Sequence, residues 1–381
     1  MDSFAFSCVR IIFGIDSIKR LREEVMRLKG EKVVVVTDRA LKKVGEEICE
    51  ILSEFNCEMW SEVEPEPEIG IVDELLSRVK FDTVIGIGGG STLDVAKLSA
   101  VAAGGNVKAA ELVDRHLPER KARLILCPTT AGTGSEVTKL AVFKIPGREV
   151  KYVFDSDSLY ADAAIIDPKL TVSAPPGVTA SSGIDAICHA IEAYTSLLSN
   201  PISDMFAEKA IKIASKAVRE VYANGNNLKA RTEMSYAALL AGIAFNNAGT
   251  SLAHALGYAH SYIHGSPHGK SVGMTMPYVL QYNAIADFVK HARIARFLGE
   301  KVAGMSLRDA AFQAGVGFAK LLEDLNIPTR LLDVGAEEDD VEEIAERIFL
   351  SKKHVSRNPR EVRKEEMQDL VRKAIYGIIY G

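Results

Sequence analysis

The chain has 381 residues, 47% of them hydrophobic, and a formal net charge of -5. This length exceeds one ordinary domain and suits two, with enough apolar content for a sizeable core in each. The acidic balance, together with the lack of a basic stripe, argues against a nucleic-acid partner held by phosphate neutralisation.

The first half of the chain alternates apolar runs with helical patterns. The β-branched run KVVVVT is typical of a strand that is buried on both faces. In chain order, the predicted elements are a strand at Val9–Phe13, a helix at Ile18–Leu28, a strand at Lys32–Thr37, a helix at Ala40–Phe55, a strand at Cys57–Val63, a helix at Ile69–Val79, and strands at Thr83–Ile87 and Ala122–Cys127. This alternation predicts parallel βαβ units with helices on both faces of the sheet.

The pattern changes at Pro175–Pro176, after which every periodic segment has the spacing of a helix. Helices are predicted at Ala180–Leu198, Ser203–Val221, Ala230–Asn246, Ser251–Ile263, Gly269–Tyr282, Asp287–Leu298, Leu307–Leu325, Asp339–Leu350 and Lys364–Tyr376. We therefore expect an α/β domain over residues 1–174 and an all-helical domain over residues 175–381.

A glycine-rich turn follows the predicted strand at Thr83–Ile87. The segment VIGIGGGSTLDVAK leads from that strand into a helix, and its glycines would let the backbone approach a diphosphate whose charge the helix amides can bind. The spacing is G-x-G-x-x-S rather than the standard dinucleotide fingerprint, and it follows a later strand than the first. A tight strand–helix turn that needs glycine for steric reasons alone is the simpler interpretation.

Two further features are candidates for cofactor contact. The hydroxyl-rich loop Pro128–Thr138 follows the next strand, and the carboxyl ends of parallel strands commonly bind ligands. Asp38 ends the second predicted strand, where a carboxylate can accept from an adenosine ribose and repel a 2′-phosphate. The alternatives are an ordinary loop and a cap for the helix that begins near Ala40.

Two segments of the helical half carry metal-ligand chemistry. Ser251–Gly269 holds four of the eight histidines, namely His254, His260, His264 and His268. Asp185 and His189 lie four residues apart in a helical pattern, so their side chains leave the same face. Together the segments offer a carboxylate and up to three imidazoles to a transition metal. The alternative is a set of structural histidines and one intrahelical hydrogen bond.

Two features of the sequence indicate the cellular location of the protein, namely the lack of targeting signals and the number and spacing of the cysteines. The N-terminal residues lack the apolar core of a signal peptide, and no apolar run is long enough to cross a bilayer. Five cysteines, an odd number without a CxxC pair, fit a reduced protein better than a disulfide framework. We expect a cytoplasmic protein without a membrane partner.

Taken together, these motifs resemble those of the iron-containing (metal-dependent, group III) alcohol dehydrogenase family. The matching segments are GGGSTLDVAK, PTTAGTGSEVT, DPKLTVSAPP, GIDAICHAIEAY and the stretch from HALGY to SPHG. The resemblance runs from the strand at Arg10–Gly14 to Asn358–Pro359–Arg360, which is nearly the whole chain. It implies a dehydroquinate synthase-like architecture, in which a Rossmann-like nucleotide-binding domain precedes a helical metal and substrate domain, with cofactor and metal in the cleft between them.

The resemblance also implies roles for individual residues. The metal ligands would be Asp185, His189, His254 and His268. The diphosphate would lie on Gly88, Gly89, Gly90 and Ser91, with Asp94 in the following helix, and further cofactor contacts would come from Thr129, Thr130, Thr133, Ser135 and Lys151. Asp38 matches the acidic residue associated with NAD, and Phe245 matches an aromatic position of the substrate pocket.

Two positions depart from the family pattern. Many members have a proton-relay histidine four residues after the third ligand, where this chain has Tyr258. His260 and His264 lie nearby without matching that position, so Tyr258 and His260 are the candidates for carrying the proton. His354 stands where relatives often have a small residue near the substrate, which would add an imidazole to the pocket; a surface histidine in a basic run is the alternative.

The function that the resemblance implies is hydride transfer between NAD and a small primary alcohol or diol, giving the aldehyde, with NADP as an alternative cofactor. A divalent metal would polarise the substrate oxygen. One carboxylate and three imidazoles accept Fe²⁺, Zn²⁺ or Mn²⁺, and the family favours Fe²⁺. A homodimer is the expected assembly.

Two rival functions fit the motifs less well. One is a sister enzyme on the same architecture, such as a glycerol or glycerol-1-phosphate dehydrogenase or a dehydroquinate synthase-like lyase; a phosphate-bearing substrate would require a basic cluster that the sequence does not suggest. The other is a metal-dependent hydrolase or a nucleotide-responsive binding protein without turnover, and a hydrolase would leave the glycine-rich turn unexplained.

Overall fold

The computed structural model describes residues 4–104 and 107–380. The chain divides into two compact units, of which one runs from Ser7 to Ser173 and the other from Ala174 onward, together with residues 4–6. No helix in the described part of the chain is long and apolar enough to cross a membrane.

The first unit is built on a parallel sheet of six strands. The strands are β1 (Ile11–Phe13), β2 (Lys32–Asp38), β3 (Asn56–Val63), β4 (Thr83–Gly88), β5 (Arg123–Pro128) and β8 (Ala163–Ile166). Their order across the sheet is β1-β8-β5-β4-β2-β3. Every neighbouring pair is parallel. The prediction of parallel βαβ units is confirmed.

Alternate residues of the central strands enter two separate apolar cores. Val34 and Val36 of β2 belong to one core, whereas Val33 and Val35 belong to the other. A strand that is covered on both faces needs apolar residues at every position, which explains the continuous β-branched run. Helices α3 (Gly70–Arg78) and α4 (Gly90–Ala102) contribute to the first core, and α1 (Leu21–Arg27) and α2 (Lys42–Ile51) to the second.

Three strands of this unit were not predicted. β6 (Leu140–Phe143) and β7 (Tyr152–Asp155) form a separate antiparallel hairpin, and β8 (Ala163–Ile166) joins the main sheet. Each is only four residues long, and a run of four residues is too short to separate period 2 from period 3.6. The helix predicted at Ala40–Phe55 is also shorter, since a 3-10 turn at Arg39–Leu41 precedes α2.

The described residues of the second unit form helices with no strand. The α-helices are α5 (Pro176–Thr195), α6 (Pro201–Ala223), α7 (Leu228–Ala248), α8 (Leu252–His264), α9 (His268–Asn283), α10 (Phe288–Leu298), α11 (Leu307–Asp324), α12 (Val341–Ile348), α13 (Lys352–Arg357) and α14 (Lys364–Tyr376). Nine were predicted close to these bounds. The tenth helix, α13, was not predicted, because its six residues are too few for a helical period to show.

Helix α5 lies at the centre of this unit. It packs against α6, α7, α9 and α10, and its residues from Gly183 to Thr195 are all buried. The sequence from Ile184 to Tyr194 is apolar on nearly every face, as expected for a helix that is surrounded by others. The polar exceptions within it are Asp185, His189 and Glu192. Buried polar groups require partners, so these three residues are candidates for a functional site.

Candidate metal centre and nucleotide loop

The four predicted metal ligands come together on three helices of the second unit. Asp185 and His189 project from α5, His254 projects from α8, and His268 is the first residue of α9. The Nε2 atoms of the histidines lie close to Asp185 Oδ1, at 3.8 Å for His189, 3.8 Å for His254 and 3.6 Å for His268. The carboxylate oxygen is therefore the point on which the three imidazoles converge.

Local packing brings His268 to this point. Gly269 follows it, and a Cβ there would lie 2.4 Å from the carbonyl oxygen of Ser181 and 3.0 Å from Cβ of Asp185. Only glycine lets the first turn of α9 approach α5 so closely. On α5 itself, the four-residue spacing of Asp185 and His189 places both side chains on one face, as predicted.

The arrangement fits a divalent metal ion. Donor atoms of Asp185, His189 and His254 all lie within 4.8 Å of one another, and the three residues are buried. Nε2 of His254 makes no hydrogen bond within residues 4–104 and 107–380. Donors about 2 Å from a shared ion lie roughly 3.3 Å apart in a tetrahedral site, and the observed separations of 3.6 to 3.8 Å are only slightly longer. The donor set of one carboxylate and three imidazoles suits Fe²⁺, Zn²⁺ or Mn²⁺.

Glu192 holds His254 in place from the opposite side. Its Oε2 is hydrogen-bonded to Nδ1 of His254, and its Oε1 accepts from the backbone amides of Ala253 (2.7 Å) and His254 (3.3 Å). Burial is the largest single influence on the pKa of Glu192 and raises it, but the charge and hydrogen bonds of His254, together with the charge of His354, outweigh burial, so the pKa lies below its ordinary value. An ionised carboxylate at Nδ1 fixes the tautomer whose Nε2 lone pair can bind a metal.

Glu192 was missed by the sequence analysis, although a signal was present. It lies seven residues after Asp185, which is two helical turns, and therefore on the same stripe of α5. The stripe Asp185, His189 and Glu192 interrupts an otherwise apolar helix. That interruption could have identified all three residues.

Aromatic side chains surround the ligands on the remaining sides. Phe245 stacks on the His189 ring at a centroid distance of 4.2 Å, and Tyr258 stacks on His268 at 5.0 Å. His354 on α13 lies parallel to His254 at 6.2 Å and meets Tyr258 edge to face at 5.5 Å. The structure thus brings these three sequence candidates to the ligand cluster. Burial, with a further contribution from His254, lowers the pKa of His354 to about 3.

His260 lies elsewhere. Its Nδ1 is 3.2 Å from the Ser271 hydroxyl, and its ring contacts His264 at 5.0 Å, while His264 pairs with Asp340 at 3.2 Å. Six residues separate His260 from His254, which places them roughly 120° apart around α8. Burial lowers the pKa of His260 to about 4. The structure groups His260 with His264 rather than with the ligands, so the proton-carrying hypothesis depends on Tyr258.

The glycine-rich turn of the first unit joins β4 to α4. Helix α4 begins at Gly90, and no described side chain caps its first amides. Gly88, Gly89 and Gly90 all have negative φ, so their conformation does not demand glycine. At Gly90 the lack of space requires glycine, because a Cβ there would lie 2.7 Å from Cγ2 of Thr133. The uncapped amides and open backbone fit an anionic group such as a diphosphate.

The hydroxyl-rich loop lies beside this turn. The Thr129 amide donates to the carbonyl of Gly88 (3.0 Å), and the Thr130 side chain lies 3.7 Å from the Cβ position of Gly89. Thr133 touches Gly90, so all three of the predicted cofactor-contacting threonines border the glycine-rich turn. Ser91 also lies there, with its Oγ accepting from the amide of Glu66 (3.1 Å).

Two other predicted cofactor residues belong to a buried network. Asp94 accepts from the Ser135 hydroxyl (2.7 Å) and from the amide of Val142 (2.9 Å). Lys97, which was not predicted, donates to the hydroxyls of Ser135 (2.8 Å) and Thr138 (3.0 Å). The network gives Asp94 and Ser135 a structural role, because it ties the hydroxyl-rich loop to α4.

The remaining cofactor candidates also have protein partners. Asp38 caps the 3-10 turn that follows β2, because its side chain accepts from the amide of Leu41 (3.1 Å). This is the helix cap that was the alternative to cofactor contact. Lys151 is paired with Glu66 at 2.5 Å. The cap uses one oxygen of the Asp38 carboxylate. The side chain therefore still places a carboxylate at the carboxyl end of β2.

Comparison with known proteins adds independent evidence. Residues 8–168 match a family model described as iron-containing alcohol dehydrogenase, and residues 179–375 match the C-terminal model of the same family. The long-chain-alcohol dehydrogenase 1 of Geobacillus thermodenitrificans is 35% identical over 390 residues, covering 98% of each chain. The 1,3-propanediol dehydrogenase of Klebsiella pneumoniae is 35% identical, covering 95% of this chain and 96% of its own. A crystal structure of a 1,3-propanediol oxidoreductase superimposes with a TM-score of 0.93 at 32% identity, covering 98% of this chain and all of the other.

Proposed function

The chain belongs to the iron-containing alcohol dehydrogenase family, and we propose that it interconverts a small primary alcohol or diol and its aldehyde with NAD as hydride carrier. Alcohol and aldehyde oxidoreduction is the activity of its relatives, which include enzymes named for long-chain alcohols and 1,3-propanediol. Neither a sister-group reaction nor metal-dependent hydrolysis is favoured by these relatives. The observation that carries the proposal is the convergence of three imidazoles on Asp185 Oδ1.

We assign the metal to Asp185, His189, His254 and His268, with Fe²⁺ as the ion that the family favours. When bound, a divalent ion in this site would act as a Lewis acid on the substrate oxygen. Glu192 supports this assignment because its carboxylate fixes the orientation of His254 before any ion arrives.

The surrounding side chains define what the substrate meets. Phe245 covers one face of His189, so it offers an apolar wall to the carbon chain of the substrate. Tyr258 lies between His268 and His354. We propose that the Tyr258 hydroxyl accepts the proton of the alcohol, either directly or through water. His354 is assigned to the substrate pocket.

Nucleotide binding is assigned to the first unit. The uncapped start of α4 at Gly90 and the bordering threonines support a diphosphate site on Gly88, Gly89, Gly90 and Ser91. Asp38 favours NAD over NADP, since its carboxylate would repel a 2′-phosphate. On this basis we propose residues 1–174 as the nucleotide-binding domain and residues 175–381 as the metal and substrate domain, although residues 4–6 and Ala174 belong to the helical unit.

Reconstitution with defined metals tests the proposal. The protein is stripped of metal, reloaded separately with Fe²⁺, Zn²⁺ or Mn²⁺ under anaerobic conditions, and assayed for NADH consumption with short aldehydes and hydroxyaldehydes. We expect consumption only after reloading, with one metal supporting the highest rate. The same assay with NADPH is the control for cofactor choice. Turnover that is equally fast before and after reloading would overturn the metal assignment.

The proposal also covers the oligomeric state of the protein and its cellular compartment. We propose a homodimer in the cytoplasm, and the five free cysteines, none of them joined in a disulfide, support a reducing compartment. Analytical ultracentrifugation of the metal-loaded protein measures the assembly directly, and a single species of twice the chain mass is the expected result.

A further inference from the structure

Cys49 and Cys57 form a close pair of thiols in the first unit, and neither residue has a role in the function proposed above. Their Sγ atoms are 3.0 Å apart, with Cys57 donating to Cys49. Cys49 lies near the end of α2, and Cys57 lies in β3, which is the edge strand of the main sheet. Both side chains are half-buried, whereas Cys127 and Cys188 are fully buried.

The packing of α2 on β3 holds the two thiols in register. Gly45 and Cys49 are one turn apart on α2, and Cys57 and Met59 are two residues apart on the same face of β3. A Cβ at Gly45 would lie 2.6 Å from the sulfur of Met59, so the helix and strand are in tight contact one turn away from the thiols. Cys49 and Cys57 also pack together against one apolar core.

We propose that Cys49 and Cys57 are a modification site at which a small-molecule disulfide, such as oxidised glutathione, converts the two thiols into an intramolecular disulfide. A disulfide bond is about 2 Å long, so the sulfurs must approach by about 1 Å, which rotation about the side-chain bonds can supply. The half-buried position at an edge strand lets the oxidant enter from one side while the protein supplies the second thiol.

The chemistry balances in two exchange steps. The Cys49 thiolate attacks one sulfur of oxidised glutathione, forms a mixed disulfide and releases one glutathione thiolate. The Cys57 thiolate then attacks the Cys49 sulfur, forms the protein disulfide and releases the second glutathione thiolate. The protein loses two protons and two electrons, and the oxidant gains them as two thiols. The hydrogen bond from Cys57 lowers the pKa of Cys49, which suits Cys49 to the first step.

The test uses the full-length protein with Cys8→Ser, because Cys8 is exposed and would react on its own, whereas Cys127 and Cys188 are buried. The native protein is incubated with oxidised glutathione, denatured, and treated with N-ethylmaleimide. We expect two thiols to be lost, no glutathione to be retained, and the intact mass measured before N-ethylmaleimide treatment to fall by about 2 Da. Because no Lys or Arg lies between the two cysteines, digestion must include a protease that cleaves after Glu, which separates them at Glu50 and Glu54.

Single substitutions distinguish a resolving pair from two independent thiols. With Cys57→Ser the mixed disulfide on Cys49 cannot be resolved, so one stable glutathione adduct is expected there. With Cys49→Ser we expect Cys57 to react at least about tenfold more slowly, because the more acidic thiol is gone. Two separate glutathione adducts on the Cys8→Ser protein, or all four of its thiols still titratable after denaturation when dithiothreitol has been fully oxidised under the same conditions, would overturn the proposal. None of these readouts depends on metal or activity.

Discussion

The carboxylate of Glu192 is hydrogen-bonded to Nδ1 of His254, while Nε2 of the same ring lies 3.8 Å from Asp185. One imidazole therefore connects a buried acceptor on one side to the ligand cluster on the other. Because Glu192 and Asp185 lie two turns apart on α5, a single helix defines both ends of this connection.

Replacing Glu192 by Gln should weaken metal binding without removing a ligand. The amide keeps the size of the side chain but can no longer stabilise the required tautomer of His254 as a carboxylate does. We expect a loss of about 10–100-fold in metal affinity, measured by competition with a chromogenic chelator. Glu220→Gln, on the surface of α6, is the matched control and should retain the affinity of the unchanged protein. An affinity within twofold of that control would show that Glu192 does not support the site.

His268→Ala and Asp185→Ala should each lose both metal and activity while the fold persists. Each removes one donor from a set of four, and the remaining donors leave the ion incompletely coordinated. Metal content is measured by plasma emission spectrometry and the fold by circular dichroism. His116→Ala, on an exposed loop, is the control and should keep metal and activity. Full activity in a verified metal-free His268→Ala protein would sink the assignment.

Asp38→Asn should shift cofactor choice toward NADP. Asparagine still accepts from the amide of Leu41, so the cap is retained while the negative charge is removed. We expect the ratio of kcat/KM for NADPH to that for NADH to rise by about tenfold, with little change in Tm. Asp157→Asn provides a control elsewhere in the same unit. An unchanged ratio would mean that Asp38 serves only as a cap.

Glu136→Gln should change how stability depends on pH. Burial raises the pKa of Glu136 to about 7 in the folded protein, from 4.5. The folded state therefore binds a proton more tightly than the unfolded state, and the stabilising contribution of Glu136, full below pH 4.5, is lost as the pH rises to 7. The free energy of unfolding of Glu136→Gln relative to the unchanged protein should rise by roughly 2–4 kcal/mol between pH 4.5 and pH 8.

Urea denaturation at pH 5, 6, 7 and 8 measures this difference. The exposed Glu119→Gln variant is the control and should follow the unchanged protein at every pH. If the difference for Glu136→Gln stays constant across the series, the carboxyl group of Glu136 does not titrate in this window.

The sequence predicted most of what depends on local spacing. Asp185 and His189 were recognisable because four residues make one helical turn, and β2 because five of its residues are consecutive β-branched side chains. The four-residue strands β6, β7 and β8 were missed because their runs are too short to show a period. Lys97 was missed for a different reason, since a lysine in a helical pattern is normally exposed, and only its tertiary contacts with Ser135 and Thr138 explain its burial.

The central position of α5 also has a consequence for protein engineering. This helix supplies two ligands and the Glu192 acceptor, and it is enclosed by its neighbours, so nearly every substitution on it would damage the metal site or the core. Phe245, Tyr258 and His354 contact the same cluster from α7, α8 and α13. Libraries randomised at Phe245 and His354, with the proposed proton carrier Tyr258 kept, can reshape the pocket while α5 stays unchanged, which makes substrate range separable from metal affinity under directed evolution.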